Sequence, residues 1–228
     1  MSEQQDRPRL AVSTVIFALR DSELWTPLVR RTRQPYRDRW ALPGGWVTAN
    51  EGLEATAARN LLETTALDPT YLEQLYCFGD VGRSPTGRVI STVYWALVRP
   101  EQAELASDGE NVRWFRADAL PGLAFDHNRI VEYALWRLRN KMAYSSIAHG
   151  LLGETFTLAE LRGVHEAVRG TTLDPANFRR QALAGGSIVP TGEHLVGASH
   201  RPPALYRYVD DALVDQGPLL ASASIRED

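Results

Sequence analysis

Residues of one short stretch have the types and spacing to bind a metal ion and a diphosphate. Gly44 and Gly45 precede Glu51, Arg59 follows eight residues later, and Glu63 lies four residues beyond Arg59. Arg59 and Glu63 would share one face of a helix that begins near Glu51. Clustered carboxylates on such a face hold Mg²⁺, which bridges and polarises a diphosphate. The glycine pair would let the backbone turn tightly and approach the ligand.

This stretch resembles the Nudix box, G-x5-E-x7-R-E-U-x-E-E-x-G-U, where U is an apolar residue. It departs from the box at three positions, because Asn60 and Thr64 replace glutamates and Ala66 replaces the last glycine. Two of three clustered carboxylates are therefore missing, and Glu63 alone would make a weak metal site. We expect a retained ligand pocket without efficient hydrolysis, with no catalytic residues and no resident metal or other cofactor.

Hydrophobic periodicity predicts the elements that position this stretch. Apolar, β-branched runs predict a hairpin at 10–19 and 24–30, a short strand at 40–47, and further strands at 75–81, 89–98 and 112–115. Asn50 is a candidate cap for the box helix, and Asp126 is a candidate cap for a helix that follows the last strand. Nudix proteins have the same order of elements.

Three residues outside the box are further candidates for the ligand site. Arg31 lies in an arginine-rich loop before the box, and Arg83 lies in the loop at 82–88. Arg83 could contact phosphate or ribose, or could be an exposed hairpin tip. His127 could act as a general base or line the pocket; alternatively it is a first-turn histidine whose charged form is disfavoured by the helix dipole.

The chain after residue 142 predicts a winged helix-turn-helix. A capping box at 157–160 opens one helix, Gly170 ends it, and Asp174-Pro175 starts a second helix at 176–183. Runs at 188–191 and 204–208 predict a two-stranded wing. Phe178, Ala182 and Leu183 are expected to face inward.

Polar residues of the second helix are candidates for contact with DNA. Arginine suits guanine or phosphate, and asparagine or glutamine suits adenine. The predicted DNA-binding residues are Asn177, Arg179, Arg180 and Gln181 of the helix and Arg201 of the wing span. Residues 155–209 carry six arginines against four acidic residues, which alone would not predict DNA binding. The alternative is a small helical subdomain with a solvated basic face.

Taken together, the degenerate box and the phrases LAFDHN, FTLAEL, DPANFRR and ALYRY resemble Nudix-related transcriptional regulators of the NrtR type. The resemblance covers roughly residues 10–209. It implies a repressor of NAD biosynthesis or salvage genes that binds double-stranded operator DNA as a homodimer. ADP-ribose or a related NAD-derived nucleotide would be the effector that releases the DNA. Relatives of the same group control sugar-utilisation genes instead.

The expected fold is an α+β chain with two domains. An α-β-α Nudix sandwich would occupy residues 1–141, the winged helix-turn-helix 142–209, and a flexible tail 210–228. The 228 residues are 44% hydrophobic, which supports a core. No apolar run approaches the roughly 20 residues of a membrane helix, and the first residues do not resemble a signal peptide. We therefore expect a cytoplasmic protein with no membrane partner.

Two other functions remain open from the sequence. A Mg²⁺-dependent hydrolase of ADP-ribose-like nucleotides with an accessory domain would use Glu51 and Glu63. A protein-interaction adaptor would use both the pocket and the winged module to bind partners. The sequence gives neither the operator nor the target genes nor the exact effector. It also does not show whether Lys141, the single lysine, is modified.

Overall fold

The computed structural model describes residues 7–67, 69, 71–105, 109–142, 147–195 and 202–209. These residues form a seven-stranded sheet, a separate two-stranded sheet and the helices around them. The strands are β1 (Arg9–Arg20), β2 (Glu23–Arg30), β3 (Trp40–Ala41), β4 (Gly44–Trp46), β5 (Tyr71–Phe78), β6 (Val89–Val98), β7 (Val112–Arg116), β8 (Ile188–His194) and β9 (Ala204–Tyr208). The helices are α1 (Leu53–Thr65), α2 (Pro100–Leu105), α3 (His127–Lys141), a 3₁₀ helix (Ile147–Leu151), α4 (Leu158–Arg169) and α5 (Pro175–Ala184).

The centre of the large sheet is the parallel pair β1 and β6. The order is β3-β2-β1-β6-β5, with β4 paired to β1 and β7 paired to β2. Ten residues of β1 align with β6, and most of their side chains are buried, as expected for a strand covered on both faces. The predicted β1–β2 hairpin is confirmed, and Asp21 and Ser22 form its turn with positive φ.

The two faces of this sheet pack against different helices. Ile16, Ala96 and Leu61 belong to the apolar cluster that includes α1. Phe17 and Trp95 point to the opposite face, where α3 lies. The fold is therefore the predicted three-layer α-β-α arrangement, and the box helix α1 lies on one outer layer.

The predicted helix cap at Asn50 is wrong, and the predicted cap at Asp126 is confirmed in position but not in its side-chain hydrogen bond. Helix α1 begins after Gly52, so Asn50 lies too far from its first free amides, and no side chain caps it. Asp126 does occupy the N-cap position of α3, but its side chain makes no cap hydrogen bond. Its carboxylate instead binds Arg83, as described below. The last residue of the box region, Ala66, adopts φ 57°, the left-handed conformation that the glycine of the Nudix box would adopt without steric cost.

The predicted helix-turn-helix elements are present. The Thr157–Glu160 capping box is complete, and Gly170 ends α4 with φ 69°. Asp174 accepts a hydrogen bond from the Asn177 amide and so caps α5. These signals succeed because each depends only on residues within one turn of the helix end.

One apolar cluster joins the sheet to the helix-turn-helix. Leu138 of α3, Leu151 of the 3₁₀ helix and Leu161 of α4 belong to the cluster that contains Trp95. A Cβ on Gly150 would lie 2.8 Å from the Leu97 Cβ atom, so glycine permits this close approach to β6. At the end of α3, Lys141 is buried and donates to the Tyr71 hydroxyl at 2.9 Å.

Two sequence predictions fall outside the described residues. These are Arg201 in the wing span and the predicted tail at 210–228. Among the helices that the structure describes, none is long and apolar enough to cross a membrane.

Candidate functional site

A cavity of about 440 Å³ opens beside β4. Three loops surround it: the one after β2, the one between β5 and β6, and the one before α3. Its polar and charged lining residues are Arg9, Ser13, Arg31, Arg33, Gln34, Arg83, Ser84, Thr86, Ser91 and His127. Four of these are arginines, and no aspartate or glutamate is among the described residues that line the cavity. Guanidinium groups bind phosphate oxygens in a bidentate manner, so the cavity suits an anionic phosphorylated ligand.

The glycine pair lines this cavity, but its structural role differs from the one expected. Gly44 and Gly45 are extended residues of β4, not a tight turn. A Cβ on Gly44 would lie 2.3 Å from the Val12 carbonyl oxygen, and one on Gly45 would lie 2.3 Å from the Asn60 side-chain oxygen. The glycines are therefore needed for close packing of β4 against β1 and α1.

Aromatic rings accompany the arginines at the cavity. The Arg31 guanidinium lies 4.7 Å from the centre of the Phe125 ring, and that of Arg9 lies 3.6 Å from the Trp46 ring. Burial lowers the pKa of Arg31. Arg9, Trp46 and Phe125 were missed in the sequence. Trp46 alone had a local signal, its place directly after the glycine pair. Arg9 reaches the cavity through the pairing of β1 with β4, and Phe125 reaches it from the loop before α3.

Arg83 is held at the cavity by a buried ion pair. Its Nε and Nη2 atoms donate to the two carboxylate oxygens of Asp126 at 3.0 and 2.7 Å. The Arg83 side chain is only 5% exposed, so it is not the exposed hairpin tip that the sequence left open. The pair fixes the β5–β6 loop to the start of α3.

His127 lies beside this pair and is neutral. Its Nδ1 atom accepts a hydrogen bond from the Leu42 amide at 2.9 Å. Burial, with smaller contributions from Arg83 and Arg31, lowers the pKa of His127 to about 3, although Asp126 opposes the shift. A histidine this weakly basic is a poor general base at neutral pH. Burial is the largest cause of this lowered pKa.

This shift predicts a pH dependence of stability. The unfolded pKa of histidine is about 6.5, so below that pH the unfolded chain binds a proton that folded His127 does not. Stability is therefore lost as the pH falls. Between about pH 7 and pH 5, His127 should cost about 2 kcal/mol of unfolding free energy. Glutamine at position 127 keeps an acceptor for the Leu42 amide but does not titrate. We therefore expect the unfolding free energy of His127→Gln, measured with urea, to fall by about 2 kcal/mol less than that of the native chain between these pH values. Equal losses in the two proteins would contradict this prediction.

The remaining predicted ligand residues form an ion-pair network on α1. Both carboxylate oxygens of Glu51 accept hydrogen bonds from Arg59, at 2.8 and 2.7 Å. These hydrogen bonds lower the pKa of Glu51 and raise that of Arg59. Glu63 lies 3.3 Å from Arg59 and borders a second cavity of about 430 Å³. Glu51 and Arg59 lie outside the arginine-lined cavity.

The residues present do not fit the magnesium ion of the Nudix box. Asn60 is buried, and its side-chain amide donates to the Thr56 carbonyl at 2.8 Å. The Thr64 hydroxyl donates to the Asn60 carbonyl. Arg59 binds both oxygens of Glu51 and also pairs with Glu63, so both remaining box carboxylates already contact a cationic side chain. No group of three metal-ligating side chains occurs in the described part of the chain.

The winged module presents an exposed polar helix. Asn177, Arg179, Arg180 and Gln181 are all exposed on α5. Arg180 donates to the Asn177 side-chain oxygen at 2.7 Å, so these two side chains are oriented together. The inner face differs in part from expectation: Phe178 packs against the His165 ring, but Leu183 is 40% exposed because it lies near the free end of α5.

Arg179 faces a cavity between α4 and the wing. The cavity has a volume of about 550 Å³ and is bordered by Thr157, Ala159, His194 and Tyr206. The amino-terminal end of α4 therefore lies close to a basic side chain of α5. Helix amino termini and arginine both favour phosphate, which suits a nucleic-acid backbone.

Comparisons with known proteins agree with this two-part architecture. Residues 7–134 match the NUDIX domain family, and residues 148–208 match the NrtR DNA-binding winged helix domain. The chain is 34% identical over 207 residues to the ADPR responsive transcriptional repressor NtrR of Acinetobacter baylyi, covering 88% of this chain and 82% of that protein. It is also 32% identical over 131 residues to an ADP-ribose pyrophosphatase of Methanocaldococcus jannaschii, covering 57% of this chain and 75% of the relative.

Solved structures of NrtR from Shewanella oneidensis are similar as well. The complex with a 27mer DNA matches with a TM-score of 0.75 and 35% identity, covering 87% of this chain and 93% of the other. The NUDIX domain in complex with ADP ribose matches with a TM-score of 0.52 and 34% identity, covering 58% of this chain and 90% of the other. The relative from Acinetobacter baylyi aligns across both domains. The chain therefore belongs to the NrtR family of transcriptional regulators, in which a NUDIX domain precedes a winged helix domain.

Proposed function

We propose that this chain is a transcriptional repressor of NAD biosynthesis or salvage genes that senses ADP-ribose or a related NAD-derived nucleotide without cleaving it. Residues 1–141 would form the sensing domain and residues 142–209 the DNA-binding domain. One observation carries the proposal: a cavity whose described lining has four arginines and no carboxylate lies beside a box helix in which Asn60 and Thr64 replace two metal-binding acids. Two similar proteins support the choice of ligand and partner: the ADPR responsive repressor of Acinetobacter baylyi, and the NrtR of Shewanella oneidensis in its complex with DNA.

The cavity offers groups that match the parts of ADP-ribose. Arg31 and Arg83 supply positive charge for the diphosphate, together with the guanidinium N–H groups that do not bind Pro35 and Asp126. The serine and threonine hydroxyls can bind ribose. Trp46 is 44% exposed and lines the cavity, so one face of its ring is available for stacking with adenine while Arg9 covers part of it.

If arginines replace the metal, binding should not need Mg²⁺. We expect calorimetric titration with ADP-ribose to give the same affinity, within about twofold, in EDTA and in Mg²⁺. Chromatography of the Mg²⁺ sample should show no AMP or ribose phosphate. Arg31→Ala should weaken binding by about tenfold or more, because a charged hydrogen bond contributes about 1.5–3 kcal/mol. Arg113→Ala, on the exposed part of β7, removes the same charge outside the cavity and serves as the control.

The outcome also separates sensing from hydrolysis. A hydrolase is the second candidate, because Glu63 borders its own cavity and the chain resembles an ADP-ribose pyrophosphatase over the first domain. Turnover that requires Mg²⁺ and disappears in Glu63→Gln would establish that function. Binding that is lost in EDTA would contradict metal-free sensing even without turnover.

Coupling between the two domains would pass through α3. His127, the first residue of α3, lines the cavity. Near the other end, Arg139 donates from Nε to the Val168 carbonyl of α4 at 2.9 Å. A shift of α3 on ligand binding would therefore move α4. In a homodimer this changes the separation of two recognition helices, which must match half-sites about 34–36 Å apart. Operator binding would place the protein with the chromosome, in the cytoplasm.

A further inference from the structure

The four arginines of the cavity do not lie together. Arg31 and Arg83 both contribute to the lowered pKa of His127, so these two guanidinium groups lie near that imidazole. Arg9 is the first residue of β1, and its guanidinium group covers one face of Trp46 on the neighbouring strand β4. The cavity therefore presents positive charge at two ends, one at His127 and the other at Trp46.

Pairing of β1 with β4 sets the separation of these two ends. The strands are antiparallel, with Ala11 opposite Trp46. Leu42, whose amide donates to His127 Nδ1, precedes Trp46 on the chain and therefore lies on the side away from Arg9. At about 3.3 Å per residue, the chain from Leu42 to Trp46 extends for at most about 13 Å. An adenosine diphosphate unit can span this length, with its diphosphate at one end and its adenine at the other.

The charge of the cavity exceeds what a diphosphate needs. Among the ion pairs of the described residues, Arg83 is the only one of the four arginines that binds a carboxylate, that of Asp126. Three guanidinium charges are then left in the described lining. A diphosphate carries one negative charge on each phosphate, which balances two of them. A further phosphate on the ligand would balance the third.

Arg9 is oriented so that it can bind such a phosphate. Its guanidinium carbon lies 3.6 Å from the centre of the Trp46 ring. Guanidinium N–H groups point outward in the plane of the group, so stacking on a ring leaves them available as donors. Thr86 lines the cavity beside Arg88, whose carbonyl accepts the Arg9 amide at 2.9 Å. An arginine and a hydroxyl group at one end of the cavity suit a phosphate monoester.

We propose that the preferred effector carries a third phosphate on its adenosine ribose, and that Arg9 binds this phosphate. The inference rests on the proposed function and names its ligand class more narrowly, as 2′-phospho-ADP-ribose, the form of ADP-ribose that derives from NADP. With the diphosphate at Arg31 and Arg83 and adenine on Trp46, the adenosine ribose lies towards the Arg9 end of the cavity. In dinucleotide-binding folds, an arginine near the adenosine ribose likewise accommodates a 2′-phosphate.

Calorimetry with two ligands tests this site. We expect the native chain to bind 2′-phospho-ADP-ribose about tenfold more tightly than ADP-ribose, because the added phosphate gains charge-assisted hydrogen bonds. Arg9→Ala should reduce this preference to about twofold or less, since those bonds are lost. Arg9→Lys keeps the charge without the planar fork and should retain part of the preference. Arg9 is exposed at the start of β1, so these substitutions leave the core unchanged.

The control lies at the other end of the cavity. Arg31→Ala should weaken the binding of both ligands by a similar factor and leave the ratio of their affinities unchanged. Equal affinity of the native chain for the two ligands, or an undiminished preference in Arg9→Ala, would overturn the third-phosphate site while leaving the sensing of ADP-ribose intact. Failure of the native chain to bind either ligand would overturn the proposed function as well.

Discussion

Replacing Arg83 with alanine should lower the free energy of unfolding by about 1.5–3 kcal/mol, because it removes both charged hydrogen bonds to the largely buried Asp126 carboxylate. The Asp126 side chain is only 16% exposed and receives two hydrogen bonds from Arg83. A loss of this size is a large part of the stability of a typical domain. Urea unfolding followed by tryptophan fluorescence measures it. The same substitution should also weaken ADP-ribose binding, because Arg83 lines the cavity.

A similar but exposed ion pair provides the control. Arg129 of α3 pairs with Asp80 of the β5–β6 loop, and their side chains are 66% and 68% exposed. Because exposed pairs contribute about 0–1 kcal/mol, Arg129→Ala should change stability by no more than that. The double change Arg83→Ala with Asp126→Ala should recover part of the loss, since it removes the unpaired charge. Similar small effects of Arg83→Ala and Arg129→Ala would show that the Arg83 pair is not a structural anchor.

The combined substitution Arg179→Ala and Arg180→Ala should give the second large effect, on DNA. If both side chains contact phosphates, the slope of log affinity against log salt should fall by about 1.8. Raising the salt from about 50 to about 200 mM should then cost the native chain about 12-fold more affinity than the variant. The measurement is fluorescence anisotropy with an operator selected by the native chain from a randomised duplex library.

A matched variant separates local contacts from net charge. Arg113→Ala with Arg129→Ala removes the same two charges from exposed positions of the sensing domain. We expect its salt slope to equal that of the native chain. If the two double variants lose affinity and slope equally, α5 has no special role and the basic face is only solvated. Unchanged affinity in the α5 variant would favour the adaptor function.

The sequence predicted best those features that depend on nearby residues. The β1–β2 hairpin, the Thr157 capping box and the Asp174-Pro175 start of α5 are confirmed, because each signal lies within a few residues. Asp126 occupies the predicted N-cap position of α3, but its side chain makes no cap hydrogen bond, because Arg83, 43 residues away, binds that carboxylate. The residues next to Asp126 in the sequence do not reveal that a distant arginine binds its carboxylate.

The ligand cavity was predictable only in part, for the same reason. Arg31 and Arg83 could be proposed from loops that precede or follow predicted strands. Arg9 and Trp46 meet only because β1 and β4 pair in a particular register, with Ala11 opposite Trp46. The burial that lowers the pKa of His127 likewise results from packing of the complete domain. The assignment of these side chains to the ligand remains a prediction.

The central claim is that intact ADP-ribose, bound without metal, releases the operator. The direct measurement is the operator affinity of the native chain, by anisotropy in EDTA, with and without saturating ADP-ribose. We predict a 5- to 150-fold weaker affinity with the ligand, about 1–3 kcal/mol of coupling, and full recovery of the ligand afterwards. Equal operator affinity in the two conditions, despite measured ligand binding, would contradict the account.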